Sequence, residues 1–415
     1  MKLFKSLLLA PATLGLLAPM SSIANEVTIN DFSYSEQIDI SNSLEKGLET
    51  RLNNFEAGAF SETTTMNGAA SFQIGAVDEG AETEALTATY SYEIDLNTSF
   101  TGEDNLYVGI ETGNFDAASV SFALDSSVNG ADILSVTSMY YEFPLGDYQI
   151  AVGPQLDSDD LMPTTTSKYS DSFFFAAQYG LPSNYFANQG TGGGVAVAKT
   201  FDSGLNASGS IISTGASSSS GLLTNEGIDV LTLSLGYDAD NYGGGMIYQS
   251  SDSVCTLAGN FITDVCNDLG VTALVDEGYT STTFGTYYSP GDKTTISATS
   301  SILDVSAAGL DIDNITDFQL AIDRELGDGT LSASWKTFPF YKIPDLNGNE
   351  IKSDDLGSAI EFYYTYDVND SLTITPGIAF YLPSHDLDDL NAGPDDLAFY
   401  LFDRTAFGVG ATFKF

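Results

Sequence analysis

From about Met66 onward the chain alternates between apolar and polar residues with a period of two. Leu86, Ala88, Tyr90, Tyr92, Ile94 and Leu96 oppose Thr87, Thr89, Ser91, Glu93, Asp95 and Asn97. Leu231, Leu233, Leu235 and Tyr237 oppose Thr232, Ser234 and Gly236. The same holds for Ile360, Phe362, Tyr364 and Tyr366, and again for Leu372, Ile374, Ile378, Phe380 and Leu382. In the last stretch, Phe407, Val409, Ala411, Phe413 and Phe415 fall on one side, with Ala406, Gly408, Gly410, Thr412 and Lys414 on the other. Successive side chains of a strand point to opposite faces, so each segment predicts a strand with one oily face and one small or polar face.

Turn signals punctuate these segments, alternating short with long. Short turns are expected at Thr101–Asn105, Pro144–Asp147, Asp202–Gly204, Asp238–Asn241, Pro290–Lys293, Gly327–Gly329 and Val368–Ser371. Long polar connections are expected near 112–131, 155–192, 214–227, 250–277, 303–316, 339–357 and 383–404. Together they predict an all-β chain of about sixteen antiparallel strands. A soluble sandwich of this size would need its polar faces outside in solvent and many long loops all on one end, and no tandem Gly/Asp repeat marks a solenoid. No stretch after the first residues is long and apolar enough for a membrane helix, so a membrane-spanning reading requires a closed barrel. Strands of ~10 residues with an aromatic near the end suit a transmembrane β-barrel over residues 61–415.

The region before it reads differently. Lys2 and Lys5, the apolar run Leu7–Leu17 and the small residues Ser22-Ile23-Ala24 predict a secretory signal over residues 1–24. Residues 25–60 predict a short periplasmic linker with an amphipathic helix, because Leu44, Leu48, Leu52 and Phe55 recur beside Glu45, Lys46, Glu49 and Arg51. An exported barrel of this kind belongs in the outer membrane of a Gram-negative-type envelope, with outer-membrane lipid around it and both barrel ends periplasmic.

Charge narrows the function. The formal net charge is −44, and it becomes −46 once Lys2 and Lys5 leave with the signal. That excludes nucleic acid as a partner, since phosphates need a basic surface. Apolar residues make up 43% of the chain, which excludes disorder. The two cysteines, Cys255 and Cys266, lie close together in a polar stretch of an exported chain and predict a loop disulfide. Two sulfurs without a nearby histidine make a poor zinc site.

Candidate chemistry is sparse. The one histidine, His385, sits in the acidic run SHDLDDLNAGPDD of an expected outer loop. No GxSxG, HExxH or P-loop occurs, so no catalytic residue and no enzyme is expected. Acidic clusters at Asp157, Asp159 and Asp160, at Asp311 and Asp313, and at Asp345, Asn347, Asn349 and Glu350 lack the order of an EF-hand. They predict at most weak, non-specific calcium or magnesium association, with no dedicated metal site and no cofactor.

The long connection 155–192 carries the sharpest expectation. It combines acids with the aromatic run Phe173, Phe174, Phe175, Tyr179, Tyr185 and Phe186, which needs burial somewhere. Folding into the lumen would bury it and narrow the channel, placing Asp157, Asp159, Asp160 and Asp171 against Lys168 at a constriction. Carboxylate rings favour cations. Glu93, Asp95, Glu111, Glu142, Asp323, Glu325 and Glu361 are expected to face the lumen, against the bases Lys336 and Lys414.

The start MKLFKSLLLAPATLGLLAP (Met1–Pro19) resembles the signal segment of the cyanobacterial major outer-membrane porins. FEAGAFSETTTMNGAASFQIGA (Phe55–Ala76) resembles the junction where their coiled-coil linker enters the first barrel strand. The family is related to carbohydrate-selective porins and is often labelled as iron-uptake porins. The resemblance implies a homotrimeric sixteen-strand channel for small solutes and inorganic ions. Family members usually carry a surface-layer homology domain and a long coiled coil that tether the membrane to the cell wall. No such domain fits residues 25–60, which argues against tethering here. Passive, cation-leaning diffusion is the function expected. The alternatives are a carbohydrate-selective pore, in which Tyr179 and Tyr185 form a sugar slide, a plugged structural or interaction barrel, and a barrel hydrolase using His385.

Overall fold

Sixteen strands close on themselves in the computed structural model, each paired antiparallel with its neighbours in sequence and β1 with β16. The structure describes residues 63–78, 86–115, 124, 127–128, 132–169, 190–218, 221–224, 228–252, 278–307, 310–338, 357–382 and 404–415. The strands are β1 Thr64–Asp78, β2 Leu86–Thr98, β3 Asn105–Gly113, β4 Ser135–Leu145, β5 Tyr148–Asp157, β6 Thr191–Thr200, β7 Leu205–Ser213 and β8 Asp229–Asp238. They continue as β9 Tyr242–Ser251, β10 Tyr279–Gly291, β11 Thr294–Ala307, β12 Leu310–Leu326, β13 Gly329–Phe338, β14 Gly357–Asn369, β15 Leu372–Leu382 and β16 Arg404–Lys414. The barrel belongs to the compact unit Ser61–Phe415. The expected signal peptide, the helix Leu44–Phe55, Asp171, the run Phe173–Phe186, His385, the Asp345–Glu350 cluster, and Cys255 and Cys266 lie outside the described residues.

Two-residue periodicity explains the wall. Leu231, Leu233, Leu235 and Tyr237 of β8 face out and are exposed, while Val230, Thr232 and Ser234 between them are buried inside. Phe72 and Ile74 of β1, Phe284 and Tyr288 of β10, Leu320 and Ile322 of β12 and Phe362 and Tyr366 of β14 continue the oily exterior. Ser71, Gln73, Ser210, Gln249, Thr283, Ser301 and Ser332 carry the hydroxyls and amides of the interior. A contiguous exposed apolar belt of this kind has no place in water.

All seven short turns predicted from sequence occur, on the rim where β1 begins and β16 ends. One connection differs from expectation. Residues 303–316 are not a long loop: β11 and β12 pair as far as Ala307 and Leu310 and connect through 308–309 alone. The stretch is polar enough to read as loop, yet a projecting hairpin satisfies its own ladder and needs no apolar face. Asp311 and Asp313 consequently stand on a strand.

Closure is sealed at the β1–β16 seam by ten register pairs from Ala69–Lys414 to Asp78–Thr405. Phe72 meets Phe413 edge to face at 5.7 Å, and Tyr92 stacks on Phe415 at 5.8 Å. Such aromatic pairs add ~0.5–1.5 kcal/mol each beyond the area they bury.

Candidate channel constriction

The segment after β5 enters the barrel. A bulge in β5 between Gly153 and Leu156 shifts the side-chain alternation, so that Leu156 faces inward with Ala151. There Leu156, Ala151, Ala196 and Ile212 form a small apolar cluster, joined by Tyr140 and Leu161. Leu156 and Ile212 are fully buried. Each such side chain contributes ~1.5–3 kcal/mol. That cluster pins the root of the segment inside the barrel rather than in solvent.

Beyond the root, Ser158 to Tyr169 run along the inner wall. Strand registers align Asn206, Gly236, Gly245, Gly285, Thr299 and Gln319 in one row across β7 to β12. The Thr164 hydroxyl donates to Asn206 Oδ1 at 2.9 Å and lies 2.7 Å from Ser234 Oγ. Its methyl fills the space over Gly236 and Gly245, where a Cβ would meet it. The Thr166 backbone lies directly on Gly285. The Lys168 amide donates to Ser297 Oγ on β11 at 3.0 Å. Tyr169 reaches β14, where its hydroxyl donates to Glu361 and its ring lies 6.1 Å from that of Tyr363. Three glycines side by side on the inner face make the track: with no side chains there, the segment's backbone can touch the wall.

A second segment reaches inside from the connection between β3 and β4. Gln73 Oε1 on β1 accepts from the Leu124 amide at 3.0 Å and from the Ser127 hydroxyl at 2.5 Å. Leu124 is buried over Gly410 of β16. The two segments therefore touch the inner wall at β16–β1, from β7 to β11 and at β14.

The expected lumen acids all carry inward register, but they divide into two groups. Glu93 and Glu111 face each other across β2 and β3, Asp95 accepts the Tyr107 hydroxyl at 2.6 Å, and Glu142 stands on β4. These four are only partly buried. Like charges opposite one another destabilise a sheet pair, so this arc holds unfavourable charge density. Tyr107 and Tyr140 lie among these acids with ring centroids 5.2 Å apart. In the other group, Glu361 is 1% exposed beneath Tyr169 and Lys336 is 2% exposed on the neighbouring strand, so neither lines open water. Asp317, not anticipated, is buried with them and feels the Lys336 charge. Asp323 accepts from Ser332 at 2.5 Å, while Glu325 and Lys414 are exposed near the short-turn rim.

At the segment's start, Asp157 closes β5 and accepts the Thr191 hydroxyl. The Asp157 amide donates to Asp160 Oδ2 at 2.7 Å, drawing the turn tight. Burial, reinforced by the charge of Asp157, raises the Asp159 carboxyl to about 6. Burial foremost, with Asp157, Asp159 and Glu142 also contributing, raises Asp160 to about 7. Lys168 does not oppose these acids: its ammonium sits 4.0 Å from the centre of the Tyr287 ring on β10. Burial, then the charge of Glu361, holds the Tyr169 hydroxyl well above the ordinary phenol value, so it remains a neutral donor.

The sequence matches no protein-family model and no curated protein. Solved structures do share the fold. An anion-selective porin from Comamonas acidovorans superposes with a TM-score of 0.57 at 11% identity, covering 85% of this chain and 99% of that one. The trimer form of OmpT, an outer membrane protein of Vibrio cholerae, gives 0.52 at 12% identity, covering 85% and 100%. A mutant of Rh. blastica porin gives 0.51 at 13% identity with the same coverage. This chain has the sixteen-strand barrel fold of bacterial porins.

Among the described residues, no group of three His, Cys, Asp or Glu side chains is placed to hold a metal ion. The glycine row, Asp238, Tyr287, Asp317 and the Gln73–Leu124 insertion escaped sequence reading. Gly at inward parity on three strands was the available signal, but only the register shows that these positions align.

Proposed function

We propose that the chain is an outer-membrane porin through which small solutes and inorganic ions diffuse passively, with a lean towards cations. The observation that carries this reading is the path of Ser158–Tyr169 across one side of the interior. It leaves the partly exposed Glu93, Asp95, Glu111 and Glu142 on the opposite arc, with no base among them. The apolar exterior supports a bilayer as the surrounding solvent, since a closed barrel leaves no backbone group unpaired against lipid. Carboxylates along a water-filled path raise the local cation concentration. The route needs no chemistry from the protein, and no residue is assigned a catalytic part.

Assembly as a homotrimer and kinship with the cyanobacterial porins belong to the same proposal. They rest on the trimer form of the Vibrio cholerae barrel and on the residues Met1–Pro19 and Phe55–Ala76. A plugged structural barrel is the second reading, favoured by the insertion of Leu124 and Ser127 beside the longer segment. Reversal potentials in a KCl gradient separate the readings. Current with cation preference, reduced in Asp159→Asn/Asp160→Asn, supports the cation-leaning channel. Anion preference or none removes the lean, and a cation preference that this pair leaves unchanged removes Asp159 and Asp160 as its source. Silence in every preparation supports the plug.

A further inference from the structure

The inserted segment carries one described base, Lys168, and the wall holds it in a particular way. Its Nζ lies over the face of Tyr287, 4.0 Å from the ring centre. Tyr287 is itself immobile: it is 1% exposed, and its hydroxyl donates to Asp238 Oδ1 at 2.7 Å. Asp238 Oδ2 in turn accepts from Asn206 Nδ2 at 2.8 Å, and Asn206 Oδ1 accepts from Thr164 of the same inserted segment. One carboxylate thus anchors the segment at two points four residues apart, directly through Asn206 to Thr164 and through a ring to Lys168. Lys168 lies within ion-pair distance of no carboxylate among the described residues.

An aromatic face attracts an ammonium without neutralising any acid. A lysine paired to Asp157, Asp159 or Asp160 would cancel one charge of the constriction, whereas one stacked on the wall leaves all three to act. We propose that Tyr287 is a selectivity-determining residue: fixed by Asp238, its ring keeps the Lys168 ammonium against the wall and its positive charge out of the aperture. The inference rests on the channel reading above.

The test uses the full-length protein in planar bilayers under a KCl gradient. Its main arm is run in an Asp238→Asn background, where the side-chain oxygen still accepts from the Tyr287 hydroxyl while a released lysine finds no carboxylate there to pair with. Adding Tyr287→Leu is expected to lower the K+/Cl− permeability ratio about two-fold or more, the effect of one charge within a Debye length of the path. Adding Lys168→Gln to that double variant restores the ratio. A second arm needs no change to the wall: Lys168→Gln alone shifts the ratio by less than the restoration in the main arm. The proposal is overturned if Tyr287→Leu leaves the ratio at its background value, or if Lys168→Gln fails to restore it. It is overturned equally if Lys168→Gln alone raises the ratio as far as the restoration, because the ammonium then already stands in the aperture. A wild-type protein that passes no current overturns the channel reading itself, whereas a conducting one with an unmoved ratio overturns this inference alone.

Discussion

Gly285 is where the inserted segment touches the wall most closely, and adding a side chain there should dislodge it. A Cβ at Gly285 would stand 2.6 Å from both the carbonyl carbon and the Cβ of Thr166, with the carbonyl oxygen nearer still. Ordinary contact begins at 3.4 Å, so segment and wall must separate by at least about 0.8 Å. Rotation of a side chain cannot relieve the clash, because two of the three atoms belong to backbone. At Gly236 the nearest segment atom is instead the Thr164 methyl, a side-chain atom, at 2.9 Å. Overpacking of this kind costs ~1–3 kcal/mol. Applied to a seated–unseated equilibrium, that lowers the seated fraction's ratio about 5–150-fold. Gly285→Val should therefore show larger or more fluctuating single-channel currents than wild type. Gly209→Val is the control: Gly209 faces outward and a Cβ there meets Leu233 at 3.2 Å, far from the segment. Currents from Gly285→Val that match wild type in size and noise would refute the seating argument.

Four further outcomes follow from the same geometry. Asp159 and Asp160, raised to about 6 and about 7, take up protons on mild acidification, so cation preference should fall as pH drops from about 8 to about 5. Their folded values exceed the ordinary 3.8, so the folded state binds more protons than the unfolded chain and the seated turn loses stability as pH rises between about 4 and 7; current noise rising with pH over that range is the readout, and the opposite slope contradicts it. At the short-turn rim, the Tyr141 hydroxyl foremost, then Thr101 and Ser99, hold the Asp104 carboxyl well below the usual carboxylate range. Asp104→Asn should lower the temperature at which the barrel loses its folded gel mobility, with the wild-type advantage constant above the ordinary pH 3.8 and decaying below it; equal melting at neutral pH would contradict this. Gln73→Leu removes the acceptor shared by Leu124 and Ser127 and should expose that segment to added protease, while an unchanged cleavage pattern would show that Gln73 does not hold it.

Much of the architecture was legible because its signals are local. The alternation at Leu231–Tyr237 needs only neighbouring residues, and turns such as Gly327–Gly329 announce themselves by glycine and acid. The hairpin at Ala307–Leu310 was missed because its polar sequence reads as loop, while its pairing depends on register with the strands below. For the 155–192 connection an inward path was expected from aromatics that lie outside the described residues; the described part, Ser158–Tyr169, runs inward on other anchors. Thr164, Thr166, Lys168 and Tyr169 meet partners 42 to 194 residues away, on six strands. Lys168 was placed among the acids because sequence shows charge but not the ring of Tyr287 beneath it. Likewise Glu361 and Lys336 share the parity of open lumen residues, yet both are buried, Glu361 beneath Tyr169. Inward parity was thus readable and exposure to water was not.

Single-channel conductance in symmetric KCl tests whether the barrel is water-filled and narrowed by Ser158–Tyr169. Wild-type protein is to be compared with a variant in which residues 160–168 are deleted. Wild type should give a steady current and the deletion a larger one. No current from the intact protein, or equal currents from both, would contradict it.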